Sequence, residues 1–367
     1  MRQAPLLLAA QLALLLVGCA PAQKAEEPVL PFVFRSLELR QKDNGGRPSW
    51  EISSPEARYD QSRKLAQARD LRGTIYEQGR PLYRIQARRG VVLNDGEVVL
   101  LEGPTEVRRL GQDPIVIQAQ RVRWYPFRGE MAVDRQAVAR QKNLEVTAKR
   151  AHFDFNRNRL VLSGAPLLLE RGPAPLRLAL VRLTWWAASG EIQAEGPIRG
   201  ERRGLAGERQ LLTSPSLRGN TLQQVLVLAA PVRLQDPGRE AELSARDTHL
   251  ELRSQRISSA LPFDGRYGAL RVRGEGFSML PDSGDLEIPR GCVLSQPGER
   301  LSAGRCAWNW RTRRVRASGG VRLERQAQQL TTQAGELEGR IGGNEGLVVL
   351  SQPGGTVQTQ LRLGARR

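Results

Sequence analysis

Histidine is nearly missing from this chain: His152 and His249 are the only two in 367 residues. They lie far apart, each in a strand-like run, and none of the three cysteines stands near either at metal-ligand spacing, so no zinc-type His/Cys site is expected. No Gly-x-Ser-x-Gly, Walker-type or Gly-x-Gly-x-x-Gly element sits between a strand and a helix, which leaves the hydrolase, nucleotide and dinucleotide classes without a motif. No catalytic residue, metal ligand or cofactor is therefore expected. Aromatics make up only 5% of the chain. Trp185-Trp186 and Trp308-x-Trp310 read as core or rim packing, with sugar stacking as the alternative. Asp282, Asp285 and Glu287 read as a solvated turn. A sustained 3.6-residue apolar stripe is also missing beyond the first eighteen residues. Gln61–Ala68 comes nearest, where a hairpin should turn, so little helix is expected.

What the chain has in quantity is glycine (37) and proline (22), the residues of many short strands and turns. Leu144–Arg171, LEVTAKRAHFDFNRNRLVLSGAPLLLER, shows the pattern most clearly. Leu144, Val146 and Ala148 alternate with Glu145, Thr147 and Lys149. A polar reversal follows at Asn156–Arg159, and alternation returns through Leu160, Leu162, Gly164 and Leu168. Side chains alternate faces along a strand, so this segment predicts a hairpin with one apolar and one polar face.

The pattern repeats. Written as apolar-x-apolar-x-small, it recurs with the small residue at Ser54, Ala87, Ala119, Ala148, Ser214, Ala245, Gly274, Ala303 and Ala334, at spacings of 29 to 34 residues when Leu180 is taken as the bulky member of the series. A second small column, Gly73, Gly103, Gly164, Gly196, Ala230, Ala260 and Gly319, falls in the returning strands, often just before a proline. About ten hairpin units result. An antiparallel sheet with one apolar face has to cover it with another sheet. The expected fold is all-β: an elongated, twisted β-jelly-roll of stacked antiparallel hairpins, open at both ends. Small inward residues either leave room for an apolar trough along the tube or allow close sheet packing. Gly200–Arg209, GERRGLAGER, coincides with the longest interval and reads as a long loop or a domain boundary.

The chain starts with an address. Arg2, an apolar core from Leu6 to Val17 and the ending Leu16-Val17-Gly18-Cys19 have the length of a secretory signal, too short to span a bilayer. The ending resembles a bacterial lipobox, which makes residues 1–18 a lipoprotein signal peptide and Cys19 the lipidated N-terminus of a tether over 19–31; an ordinary signal peptide or an uncleaved anchor are the alternatives. Export implies an oxidising compartment, where Cys292 and Cys306, placed symmetrically about Glu299, are a disulfide candidate. The net charge of +18, mostly arginine spread over nearly every unit, suits anionic lipid heads, an anionic membrane or acidic partners. Nucleic acid is a poor partner for an exported chain.

Residues 32–107, from FVFRSLELRQKDNGGRPSWEISSPEARYD to VVLLEGPTEV, resemble the periplasmic lipopolysaccharide-export proteins of the LptC and LptA (OstA-like) group, most closely LptC. Trp50-Glu51-Ile52-Ser53-Ser54-Pro55-Glu56-Ala57 and Leu71-x-Gly73-x-Ile75 carry the likeness. The chain is longer than a minimal member, as if bridge repeats were appended, which suggests an LptC-like jelly-roll over 32–200 and further hairpins over 201–367, continuous with the first. It also has a lipobox where many relatives have a transmembrane helix.

The resemblance implies a non-enzymatic carrier that takes lipid A acyl chains in the trough and passes them from an inner-membrane ABC transporter complex toward the outer membrane. The trough residues would be Tyr83, Ile85, Ala87, Ile115, Ile117, Ala119, Leu144, Val146, Ala148, Leu178, Leu212, Leu243, Val272 and Leu301. It also implies a periplasmic chain anchored by its lipid, the inner membrane favoured. End strands near Phe32–Leu39 and Thr356–Leu363 would pair with periplasmic bridge or outer-membrane jelly-roll partners. The alternative is a parallel β-helix enzyme or adhesin acting on acidic envelope polysaccharide.

Overall fold

The computed structural model describes residues 32–341, 348–351 and 356–361. The signal, Cys19, the tether and Leu363 lie outside them. Among the described residues every strand pairing is antiparallel, which removes the β-helix alternative, and the helical content is three single turns: Asn94–Gly96, Pro126–Arg128 and Pro237–Arg239. Among the described residues no helix is long and apolar enough to cross a membrane. The stretch Gln61–Lys64 is a turn leading into strand Leu65–Glu77.

The hairpin expected from the central segment forms as read: Arg150–Asp154 pairs with Arg159–Ser163, and Leu144–Ala148 pairs with Leu167–Glu170. Each unit is folded across its middle. A long strand such as Arg80–Leu93 joins one ladder through Tyr83, Ile85 and Ala87, shifts register between Ala87 and Arg89, and joins a second ladder through Gly90 and Val92. The first ladder begins with Leu37–Lys42 on Pro48–Ser54 and ends with Gln358–Leu361 on Leu330–Arg340. The second begins with Phe32–Phe34 on Glu56–Asp60 and ends with Val348–Ser351 on Leu330–Arg340. Two continuous ladders thus face each other along the jelly-roll, joined by a line of corners. Ten reversals between Lys42 and Leu330 border the first ladder, in keeping with ten units.

The small columns mark the corners. Ser54, Ala87, Ala119 and Ala148 are buried where strands change ladder, and Gly103, Gly164 and Gly319 turn there with positive φ, a conformation without penalty only for glycine. A register shift frees carbonyls that need donors. Ser54 Oγ lies 2.7 Å from Glu56 O and from Arg69 O, and Ser214 Oγ lies 2.8 Å from Ser216 O and 2.9 Å from Ala229 O. Space is tight as well: a Cβ on Gly274 would stand 2.3 Å from Ile288 Cγ2. Gly73 differs from the rest of its column, for it lies beside the corner and faces the ring of Trp124.

Cys292 and Cys306 form a disulfide. They are not opposite each other in one hairpin, since Cys292 pairs with Ala303, and Cys306 with Ile288 and Ala317. The bridge instead joins the two ladders through the interior at one corner. Replacing both with serine should lower stability by about 2–3 kcal/mol, the range for closing a loop of this length. Alkylation of the pair before and after reduction, read by mass spectrometry, checks the bridge, and denaturant titration of the variant checks the magnitude.

The interior holds two apolar cores. The first runs from Trp50 to Leu252 and the second from Ala245 to Leu337, with Ile257 touching both. Position 200 lies inside strand Glu191–Arg203, whose part beyond the register shift, Ile198–Arg203, pairs with residues 209–214, and Gly204–Glu208 is the hairpin loop between them.

Candidate functional site

Alternation decides what faces the interior. Tyr83, Ile85 and Ala87 from strand Arg80–Leu93, Ile117 and Ala119 from Val116–Tyr125, and Leu144, Val146 and Ala148 all point inward. Together with Ile115, Leu178 and Leu212 they lie buried in the first core. The facing ladder fills the space against them with Trp124, Met131, Phe153 and Trp185. Tyr83, whose hydroxyl pKa is pushed up by burial, packs edge-on to Phe153 and Phe155 at 5.2 Å. Val272 and Leu301 belong to the second core, and Leu243 is half-buried against it.

Where the cores part, they leave an apolar cavity of about 160 Å³. This exceeds the space known to hold a benzene-sized group in an apolar core. Leu212, Leu243 and Val272 come together on its wall, with Leu234, Phe263 and Met279. The other expected trough residues do not line it; Leu301 borders a smaller recess with Leu294 and Leu337. Trp308, 5% exposed, also lines the cavity, and its Nε1 has no hydrogen-bond partner. So does Glu170, 2% exposed, whose Oε1 accepts from Asn143 Nδ2 at 2.8 Å while Oε2 is unpartnered. Burial raises the pKa of this carboxyl.

The free rims of the two ladders meet across the interior, joining residues 75 to 81 positions apart. Tyr83 Oη donates to Asn158 Oδ1, Thr221 Oγ1 to Gln141 Oε1, and Gln224 Nε2 to Asn143 Oδ1. At the cavity the ties are charged. Arg202, with only 9% of its side chain exposed, pairs with Asp282, which also accepts from Leu205 N at 3.1 Å. Arg202 further donates to Gln210 Oε1 at 2.8 Å and Gln255 Oε1 at 3.1 Å. Glu208 takes both Arg239 and Arg311, and Arg239 also pairs with Asp236. The hydrogen bond from Arg239 holds the Glu208 pKa down at about 2, so this carboxylate is charged near neutrality.

The sequence does not indicate this cluster. Arg202 reads as one of many surface arginines and Asp282 as part of a solvated turn; the pairing depends on which rims meet. The only local trace is the lengthened interval at GERRGLAGER. Trp185 and Trp308 are core residues, with 0% and 5% exposure, rather than open stacking surfaces. No group of metal-binding side chains occurs among the described residues.

Residues 6–165 match the family described as lipopolysaccharide-assembly, LptC-related. The likeness read from residues 32–107 is thereby borne out: the first part of the chain is LptC-like. A solved structure similar to the chain is LptH, the LptA-homologous periplasmic component of the lipopolysaccharide transport device of Pseudomonas aeruginosa, at 15% identity and a TM-score of 0.27, covering 32% of this chain and 82% of that one. No curated protein matches.

Proposed function

We propose that this protein is a non-enzymatic component of lipopolysaccharide transport that accepts lipid A acyl chains between its ladders and passes them along the jelly-roll from an inner-membrane extractor toward the outer membrane. The observation that carries the proposal is the LptC-related match over residues 6–165, set on two continuous ladders with a shared apolar inner face. That face is packed by Trp124, Met131, Phe153 and Trp185 in the first core, so cargo enters where the ladders part; there each buried methylene gains about 0.8 kcal/mol without directional bonds, which leaves cargo able to slide. In this reading residues 32–200 form the LptC-like part and 201–367 extend the conduit. The chain is periplasmic, and Cys19, outside the described residues, ties it to a membrane, the inner one favoured.

The ends fit a bridge. Phe32, Val33 and Phe34 are exposed on one terminal strand, Leu37–Lys42 is the other, and among the described residues no strand covers the outer edge of either. Edge-strand pairing with another jelly-roll would cover those backbone groups.

A photo-crosslinking residue at Ile117 or Val146, inward-facing, should capture lipopolysaccharide in cells, whereas the same residue at Gln118 or Thr147 should not. Equal capture at both parities, or none at either, would overturn the conduit.

A further inference from the structure

We propose that the cavity between the two cores is a discrete site for one acyl chain of an anionic lipid, entered from the rim, whose acidic headgroup takes over the arginines that now pair with Asp282 and Glu208. For the class of cargo the inference rests on the transport reading; the site itself is argued from the geometry.

The cavity wall is mostly apolar, yet two of the residues lining it each have a buried polar atom without a partner. Trp308 Nε1 is a donor and Glu170 Oε2 an acceptor, each in a residue more than nine-tenths buried. Burying a polar group without a partner costs about 1–3 kcal/mol. A plain alkyl chain would leave both atoms unsatisfied, whereas an acyl chain with a carbonyl or hydroxyl group near its head supplies an acceptor for the indole.

The rim supplies the headgroup site. Arg202 and Arg239 border the cavity, and Arg311 joins them through Glu208. Three arginines are matched by Asp236, Asp282 and Glu208, so the closed arrangement is locally neutral. Guanidinium binds phosphate in the same bidentate manner as carboxylate. An arriving lipid anion therefore replaces Asp282 or Glu208 with little loss to the arginine.

This place differs from the rest of the rim in both respects the site needs. At Tyr83–Asn158, Thr221–Gln141 and Gln224–Asn143 the ties are uncharged, and an anion does not compete for them. Behind those ties the core is filled by Trp124, Phe153 and Trp185. Here exchangeable charges stand at the mouth of an unfilled apolar space.

The test uses the purified full-length mature chain and cis-parinaric acid, an acyl-chain carboxylate that accepts energy from tryptophan. Wild type should bind one equivalent with transfer that falls at least threefold in Trp308→Phe. Its methyl ester, without the anion, should bind at least tenfold more weakly. Filling the cavity with Leu243→Phe and Met279→Phe should weaken the acid at least tenfold. Asp282→Asn, at the rim, should speed uptake at least fivefold and serves as the deciding variant if the filled chain does not fold. Equal binding of acid and ester, an undiminished affinity in the folded filled variant, or uptake by Asp282→Asn at the wild-type rate would each overturn the proposal. Lipopolysaccharide capture at Val146 together with failure here removes this site and leaves transport standing; the reverse leaves a lipid site without transport.

Discussion

Gly196→Ala should cost about 3 kcal/mol, the upper part of the range for forcing atoms into packed structure. Gly196 sits at a corner, where strand Glu191–Arg203 shifts register between Glu195 and Ile198 against Arg209–Asn220. A Cβ there would stand 2.2 Å from Pro215 O and 2.8 Å from Pro215 C. Both are backbone atoms of the paired strand, so no rotamer change relieves the contact and the corner itself has to open. In a stack of repeats each unit leans mainly on its neighbours. The loss should therefore appear first as faster hydrogen exchange in Glu191–Arg203 and Arg209–Asn220, ahead of distant units such as Arg80–Leu93. Gly238→Ala is the control, with nothing nearer than Asp236 Oδ1 at 3.6 Å, and it should change stability by no more than about 0.5 kcal/mol. Equal exchange in all units, or an effect at Gly196 no larger than at Gly238, would mean that the corners tolerate bulk.

That prediction reflects what alternation does and does not encode. The inward parity of Leu144, Val146 and Ala148, the reversal near Asn156 and the count of ten units were legible, because a two-residue period and a turn are local properties. The small columns were legible as a pattern but not as a place. Ser54 and Ala148 look the same whether they widen a trough or line a corner, and only the change of ladder just after them, at Pro55 and Lys149, distinguishes the two. Partners across the rims left no trace beyond the lengthened interval at Gly200–Arg209. Arg202 meets Asp282 because the twist of the ladders brings a rim against one 80 residues later, a distance that no local signal measures. The cavity followed the same rule: Leu212, Leu243 and Val272 look like every other inward residue, and what sets them apart is that the two cores separate there.

Trp124→Ala should be among the most damaging single changes, at about 3–5 kcal/mol for emptying a fully buried aromatic site. Trp124 is 0% exposed, points inward from strand Val116–Tyr125 and meets Trp50 edge-on with centroids 6.4 Å apart. Its ring also explains why residue 73 is glycine: a Cβ there would lie 2.9 Å from Trp124 Cζ3 and 3.0 Å from Cη2. The two positions should therefore be coupled. In the wild-type background Gly73→Ala presses a methyl group into the indole and destabilises. In the Trp124→Ala background the same methyl group enters vacated space, so its effect should shrink or reverse. A four-chain urea series should give a coupling of about 1–2 kcal/mol, within the range for residues in contact. Additive effects would mean that Gly73 is small for its own backbone and that the ladders do not press together there. The first core would then have slack where it is now described as filled, and the contrast that sets the cavity near Trp308 apart from the rest of the interior would weaken with it.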